Sequence, residues 1–221
     1  MSRKNGTRSG CKDVFHAFLV KNATYDSPLE IPCLKTEMRK PNKLIAFSKA
    51  VHSTEYDAWV HFYEDDTAFE RLWNRPNTYL PILKKFKGVI SPDFSVYRDM
   101  PLVMQQWNTY RSRALAVWLQ KNDVELIPNV RFNDERTYDF CFDGIEKYKT
   151  IAVGTHGCIK NKIDKDYFKK GLAELVKRLS PKTIIVYGAT PDDIFKTYKD
   201  AGIEIISFES EFSKSRKQVT A

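Results

Sequence analysis

SPKTIIVYGATPDDIFKTYKDAGIEIISF, residues 180–208, decides the fold class. Thr183–Tyr187 is almost wholly apolar, as expected of a strand covered on both faces. Thr190 stands where a side chain can cap a helix, so a helix is predicted over Pro191–Ala201, closed by Gly202. Glu204–Phe208 then reads as the next strand. A strand, a helix and a strand joined by such short connections form the right-handed crossover of a parallel sheet.

Working outward, the same beat holds back to residue 87. Asp166–Leu179 is helical, with Phe168, Leu172, Leu175, Val176 and Leu179 on one apolar face and Ser180-Pro181 as its stop. Thr150–Gly154 and Val124–Pro128 read as strands. Between Val124 and the strand at Lys87–Ser91 lies the longest helix, Pro101 to Asn122, with proline at a favourable first position. Further back, Ala58–Glu64 and Lys43–Ser48 are strands. Thr67–Trp73 and Tyr79–Phe86 are short helices separated by Pro76. Residues 133–148 stay ambiguous: Tyr138, Phe140 and Phe142 alternate as in a strand, but a loop fits equally.

The count is about seven strands in a mostly parallel sheet. The α/β fold expected is TIM-barrel-like, an incomplete (β/α) barrel; the alternative is an open doubly wound sheet, because the first two strands are joined by a short link. One domain, residues 29–212, is the simplest division, with a basic N-terminal arm at 1–28 and a basic tail at 213–221. Within the arm, Val14–Val20 is amphipathic enough to dock on the body.

The net charge of +8 is almost entirely in the ends. Arg3, Lys4, Arg8 and Lys12 face no acid in the first twelve residues, and Lys214, Arg216 and Lys217 face none in the tail. The body is therefore close to neutral. Such ends either solubilise the chain or hold phosphate backbones nonspecifically. Cys11, Cys33, Cys141 and Cys158 show no C-x-x-C spacing, and Cys141 and Cys158 read as buried thiols. No apolar run is long enough for a bilayer, and the expected setting is cytoplasmic.

The polar clusters that end the strands are the candidate chemistry, since ligands of parallel sheets bind at the carboxyl ends of the strands. Asp93 follows a strand and Pro92; it suits a base, a metal ligand or, more plainly, a turn. Asn129 and Arg131 alternate with Val130 and so face one side. Asn108 and Arg111 share a helix face, where Arg111 can fork an anion or pair with an acid. Arg113 reads as solvated. Thr155-His156-Gly157 offers His156 as acid or base beside small residues. Tyr187-Gly188 can receive a phosphate near a helix start. Glu64-Asp65-Asp66 has two readings: Asp65 and Asp66 hold Mg²⁺ with help from Asp93, or the acids serve the first turn of the next helix. No Walker loop, dinucleotide fingerprint, nucleophile elbow, DNA-reading helix pair or zinc finger is present.

Several of these stretches also resemble a known family. HFYEDD at 61–66, FERLWN at 69–74, VISPDFS at 89–95 and NTYR at 108–111 carry the likeness. So do IPNVR at 127–131, VGTHG at 153–157 and IIVYG at 184–188. The chain resembles an uncharacterised bacterial and phage family described as a domain of unknown function, over about residues 28–210. The resemblance implies a phage or mobile genetic element context and supplies no mechanism.

Two functions lead, and a third, a partner-binding protein that inhibits or sequesters a host factor, needs a large exposed apolar patch. The first is an enzyme acting on a phosphate-bearing substrate, a nucleotide or nucleic acid. In it Arg111 and Arg131 hold the anion, and Asn108, Asn129, Thr155 and Tyr187 line the site. Asp93 and His156 handle the proton. The second is a non-catalytic nucleic-acid-binding protein for replication or maintenance of a mobile element, with basic tails on phosphates and Trp59 or Trp107 stacked on bases.

Overall fold

The computed structural model describes residues 13, 15–36, 38–211 and 213. The rest of both basic ends lies outside the described residues. Nine strands and six α-helices are found among those described. A small antiparallel hairpin comes first, β1 (Tyr25–Asp26) with β2 (Ile31–Pro32). Then β3 (Leu44–Ala46), β4 (Trp59–His61), β5 (Gly88–Ile90) and β6 (Leu126–Ile127) pair in chain order, all parallel. β7 (Thr150–Gly154), β8 (Thr183–Tyr187) and β9 (Glu204–Phe208) form a second parallel sheet.

The expected single sheet of seven strands is therefore corrected: the seven parallel strands divide four and three. The local chemistry at the end of β6 explains the break. Pro128 has no N–H to give the β7 side of the ladder; on the β5 side the Asn129 amide donates to the Ser91 hydroxyl at 2.8 Å. What joins the sheets is one isolated parallel bridge, Asn129 with Ala152. There the Val130 amide donates to the Ala152 carbonyl and the Ala152 amide to that of Pro128, both at 2.8 Å.

Between and around the strands run α1 (Phe47–Ala50), α2 (Asp66–Asn74), α3 (Pro76–Leu83), α4 (Leu102–Lys121), α5 (Lys162–Leu179) and α6 (Asp192–Asp200). Alternation along each strand sends side chains to two faces. Val60 and Phe62 join the core of the first sheet, while Ile184 and Val186 join that of the second. On the opposite face, Leu44, Trp59, Ile90, Ile127, Ala152, Ile185 and Ile206, one from each parallel strand, pack into a third cluster. Trp59 is thus buried and offers no surface to a base.

Several local expectations are corrected. Thr190 does not cap α6; Pro191 precedes it without a side-chain cap, and Asp192 and Asp193 supply negative charge to its first turn. α5 begins earlier than its apolar face suggests, because the Asn161 side chain accepts the Asp164 amide at 2.9 Å. Residues 133–148 contain a 3-10 turn, Glu135–Thr137, and no strand. Of the amphipathic piece, Ala17–Val20 forms a 3-10 turn packed on α4 with Leu19 fully buried; Val14 lies outside the described residues. Arg113 is not solvated. It is 2% exposed and donates to the carbonyls of Asn129, Cys141 and Asp143. Cys141 is buried as expected, but Cys158 is only half-buried. Among the described residues, no helix is long and apolar enough to cross a membrane.

Candidate functional site

The segments that leave the carboxyl ends of β4 to β7 enclose a cleft of about 1130 Å³. Each contributes a polar side chain: Tyr63 after β4, Asp93 after β5, Arg131 after β6 and His156 after β7. Parallel pairing puts those ends side by side, which is why residues so distant in sequence share one cavity.

Asp93 anchors the floor. Its Oδ1 accepts the Asn129 side-chain amide at 2.6 Å, and its Oδ2 stands 3.4 Å from an Arg131 guanidinium nitrogen. Asn129 in turn accepts the Tyr63 hydroxyl on its own Oδ1 at 3.0 Å. The amide is therefore oriented from both ends, and Tyr63 sets which end faces the carboxylate. Burial pushes the Asp93 carboxyl up to about 6, against the pull of Arg131 and the Asn129 hydrogen bond. Asp66 adds a smaller push in the same direction. A carboxyl so tuned is ionised at neutral pH yet more basic than an ordinary aspartate. Arg131 is held firmly cationic, chiefly by the nearby Cys158 sulfur and then by Asp93. Burial and the charge of Lys160 lower His156, so its imidazole is neutral at pH 7.

Tyr63 depends on its neighbours. Its ring stacks on Tyr187 at 4.8 Å and 10°. On the other strand, Gly154 leaves it room: a Cβ there would stand 3.0 Å from the ring. Tyr187 is fixed in turn, its hydroxyl accepting the Glu211 amide at 3.1 Å.

The structure brings together Asp93, Asn129, Arg131 and His156, and separates others from them. Arg111 lies outside the cleft. Its guanidinium bonds Glu70 at 2.6 Å and Asn108 at 2.7 Å and lies 3.9 Å above the Phe94 ring. Asn108 spends its amide on the Ser95 carbonyl at 2.6 Å. Thr155 is buried and donates to the Ala189 carbonyl at 2.8 Å, pinning the end of β7 to the turn after β8. Tyr187 acts on the cleft through Tyr63. Asp65 is exposed at the cleft edge, whereas Asp66 accepts the Ser95 hydroxyl at 2.8 Å and the Ser95 amide at 3.1 Å. Among the described residues, no group of three or more His, Cys, Asp or Glu side chains is arranged to hold a metal ion.

Sequence reading missed Tyr63, Tyr97, Arg98 and Cys158 as cleft residues. For Tyr63 a signal existed. It continues the alternation of Trp59 and His61 and so points to their face. Arg98 had none: its ion pair with Asp164 at 2.7 Å and its place 4.5 Å above the Tyr167 ring are products of the tertiary fold.

Fold and cleft together define a parallel α/β protein with a charged cleft at the carboxyl ends of its strands. The family model described as "Domain of unknown function (DUF4417)" matches residues 23–209, and the chain belongs to that family. Two proteins called "Gene 1 protein" are similar to it over 199 residues, 88% of the chain. That of Mycobacterium phage D29 is 34% identical over 72% of its own length. That of Mycobacterium phage L5 is 33% identical over 85% of its own. No solved structure matches the chain.

Proposed function

We propose that this chain is an enzyme that acts on a phosphate-bearing substrate, a nucleotide or nucleic acid, in the cleft at the strand ends. The observation that carries the reading is the buried Asp93 carboxylate, fixed by Asn129 and facing Arg131 inside a large open cleft. Arg131 supplies a permanent cation for a phosphate oxygen. Asp93 takes the proton of the attacking water or hydroxyl through Oδ2, the oxygen that Asn129 leaves free. His156, neutral at working pH, is the second proton-handling group. Arg111 has no part in this scheme, being engaged by Glu70 and Asn108. Asp65, exposed at the cleft edge, is an acid open to a metal carried in with the substrate.

The same reading treats residues 29–212 as one domain. The two sheets are then halves of an incomplete barrel around their shared cluster, a view supported by the contribution of every parallel strand to it. The phage relatives favour a role in phage or mobile-element biology.

The test is phosphate release and strand cleavage on a panel of nucleotides and single-stranded DNA, with and without Mg²⁺. The wild type is expected to turn over at least one of them. Asp93→Ala is expected to keep its fold, by circular dichroism, and to lose at least 100-fold in rate, within the usual range for a general base. A folded Asp93→Ala protein with unchanged turnover overturns the assignment.

A further inference from the structure

A phosphate group occupies a small part of a cleft of about 1130 Å³, since cavities of roughly 300–1,000 Å³ already hold drug-sized ligands. The remaining space has its own chemistry. Tyr97 lines the cleft and is 53% exposed. Its main chain is held by two hydrogen bonds and its side chain by one. Its amide donates to the Met100 sulfur at 3.4 Å and its carbonyl accepts the Met100 amide at 3.1 Å. Its hydroxyl is hydrogen-bonded to that of Ser95 at 3.0 Å, and Asp66 immobilises Ser95. The neighbouring Arg98 is also fixed, by Asp164 at 2.7 Å and by the Tyr167 ring beneath it. Tyr97 and Arg98 therefore give one wall of the cleft a preorganised aromatic ring and a preorganised guanidinium plane, both able to stack on a flat ligand.

We propose that the cleft takes a nucleotide unit, its base stacked on the exposed Tyr97 ring and its phosphate held at Arg131. The proposal rests on the phosphate-substrate reading above and adds the base. The juxtaposition is economical: Tyr97 and Arg131 line one cavity from the segments following β5 and β6, so a single ligand can reach both. Because Tyr97 is already ordered, stacking on it costs little side-chain freedom. Ordering is also why the ring is not explained by packing, which leaves it half open.

The test compares, by isothermal titration, a nucleoside monophosphate (AMP) with ribose 5-phosphate and adenosine. The probes share their parts and differ in which end of the cleft they fill. AMP is expected to bind at least tenfold more tightly than ribose 5-phosphate. Tyr97→Ala is expected to weaken AMP roughly 5- to 150-fold, the span of base–aromatic stacking, and to leave ribose 5-phosphate unchanged. Tyr97→Phe, which keeps the ring but loses the Ser95 hydrogen bond, is expected to weaken AMP less than Tyr97→Ala does. Because Tyr97 is largely exposed, an unchanged melting temperature of Tyr97→Ala confirms that its fold is intact. Equal affinity for AMP and ribose 5-phosphate, or AMP binding indifferent to Tyr97→Ala, overturns the stacking site and leaves the phosphate reading standing. Binding of adenosine but not of ribose 5-phosphate, with Arg131→Ala without effect on AMP, overturns the phosphate reading and the joint site with it. Failure of all three probes overturns both.

Discussion

The Asp93 carboxylate accepts the Asn129 side-chain amide at 2.6 Å although the two residues are 36 positions apart. Each follows one of two adjacent parallel strands, so the pair is a direct product of sheet order. Burial dominates the pair: despite the hydrogen bond and Arg131, the carboxyl is raised to about 6.

A raised carboxyl has a definite effect on stability. Between the ordinary aspartate range and pH 6 the folded chain holds a proton that the unfolded chain releases. Asp93's contribution therefore falls as pH rises from about 4 to about 6, then levels off. The expected loss is up to ~3 kcal/mol across that window. Urea denaturation at several pH values measures it, taking wild type minus Asp93→Asn so that other carboxylates cancel. A difference that is flat from pH 4 to pH 7, or that rises, removes the basis for treating Asp93 as a tuned base.

Gly171 in α5 offers a reversal of the usual rule. Glycine to alanine in a helix interior normally stabilises by about 1 kcal/mol. Here an added Cβ would stand 2.2 Å from the ring of Phe132, a buried residue that lines the cleft. Overpacking of that kind costs about 1–3 kcal/mol, so it wins. Gly171→Ala is expected to lower the melting temperature, and a raised one would show that Phe132 moves aside freely.

How much of this was legible in the sequence depended on what each residue needed for its placement. The seven parallel strands were readable because each centres on an apolar run, most of them closed within a few residues by a proline, glycine or acid. The division into two sheets was not, since it depends on how little pairing the end of β6 makes with β7 beyond the single bridge of Asn129 and Ala152. Asp93 and Arg131 were found because a charge after a buried strand has few places to go. Arg113 was misplaced for the converse reason, and Arg111, read as either an anion fork or an ion pair, takes the ion pair with Glu70. Helix spacing says which residues share a face but not what the face meets. Arg113 is buried by carbonyls 16, 28 and 30 positions further along. The hairpin of β1 and β2, two residues to a strand, is too short to have a period at all.

Arg113 itself yields a sharper forecast. Its fork satisfies three main-chain carbonyls at once, and burial drives its own proton affinity down to about 10. Arg113→Met removes the buried charge but leaves those carbonyls unpaired, at about 1–3 kcal/mol for each stranded group. Arg113→Lys keeps the charge, yet one ammonium cannot reproduce a planar fork. Both variants are expected to lose at least 2 kcal/mol in chemical denaturation, with Lys no full rescue. Full stability in Arg113→Lys would show that charge, not fork geometry, is what the site requires.

Arg111 and Arg131 separate structure from site by one measurement. Arg131 is 3.4 Å from Asp93, so Arg131→Ala removes the charge that pulls the Asp93 carboxyl down. Arg111 is spent on Glu70 and Asn108 and is absent from the groups that act on Asp93. Carbon-13 NMR of labelled aspartate follows the Asp93 carboxyl directly. Its midpoint is expected to climb above 6 in Arg131→Ala and to stay put in Arg111→Ala. Stability should respond differently again. Arg111→Ala is expected to cost about 1–3 kcal/mol, below the 3–5 of a fully buried pair because Glu70 is partly exposed. If the Asp93 midpoint moves equally in both variants, the two arginines act on one electrostatic unit and the cleft cannot be assigned to Arg131 alone.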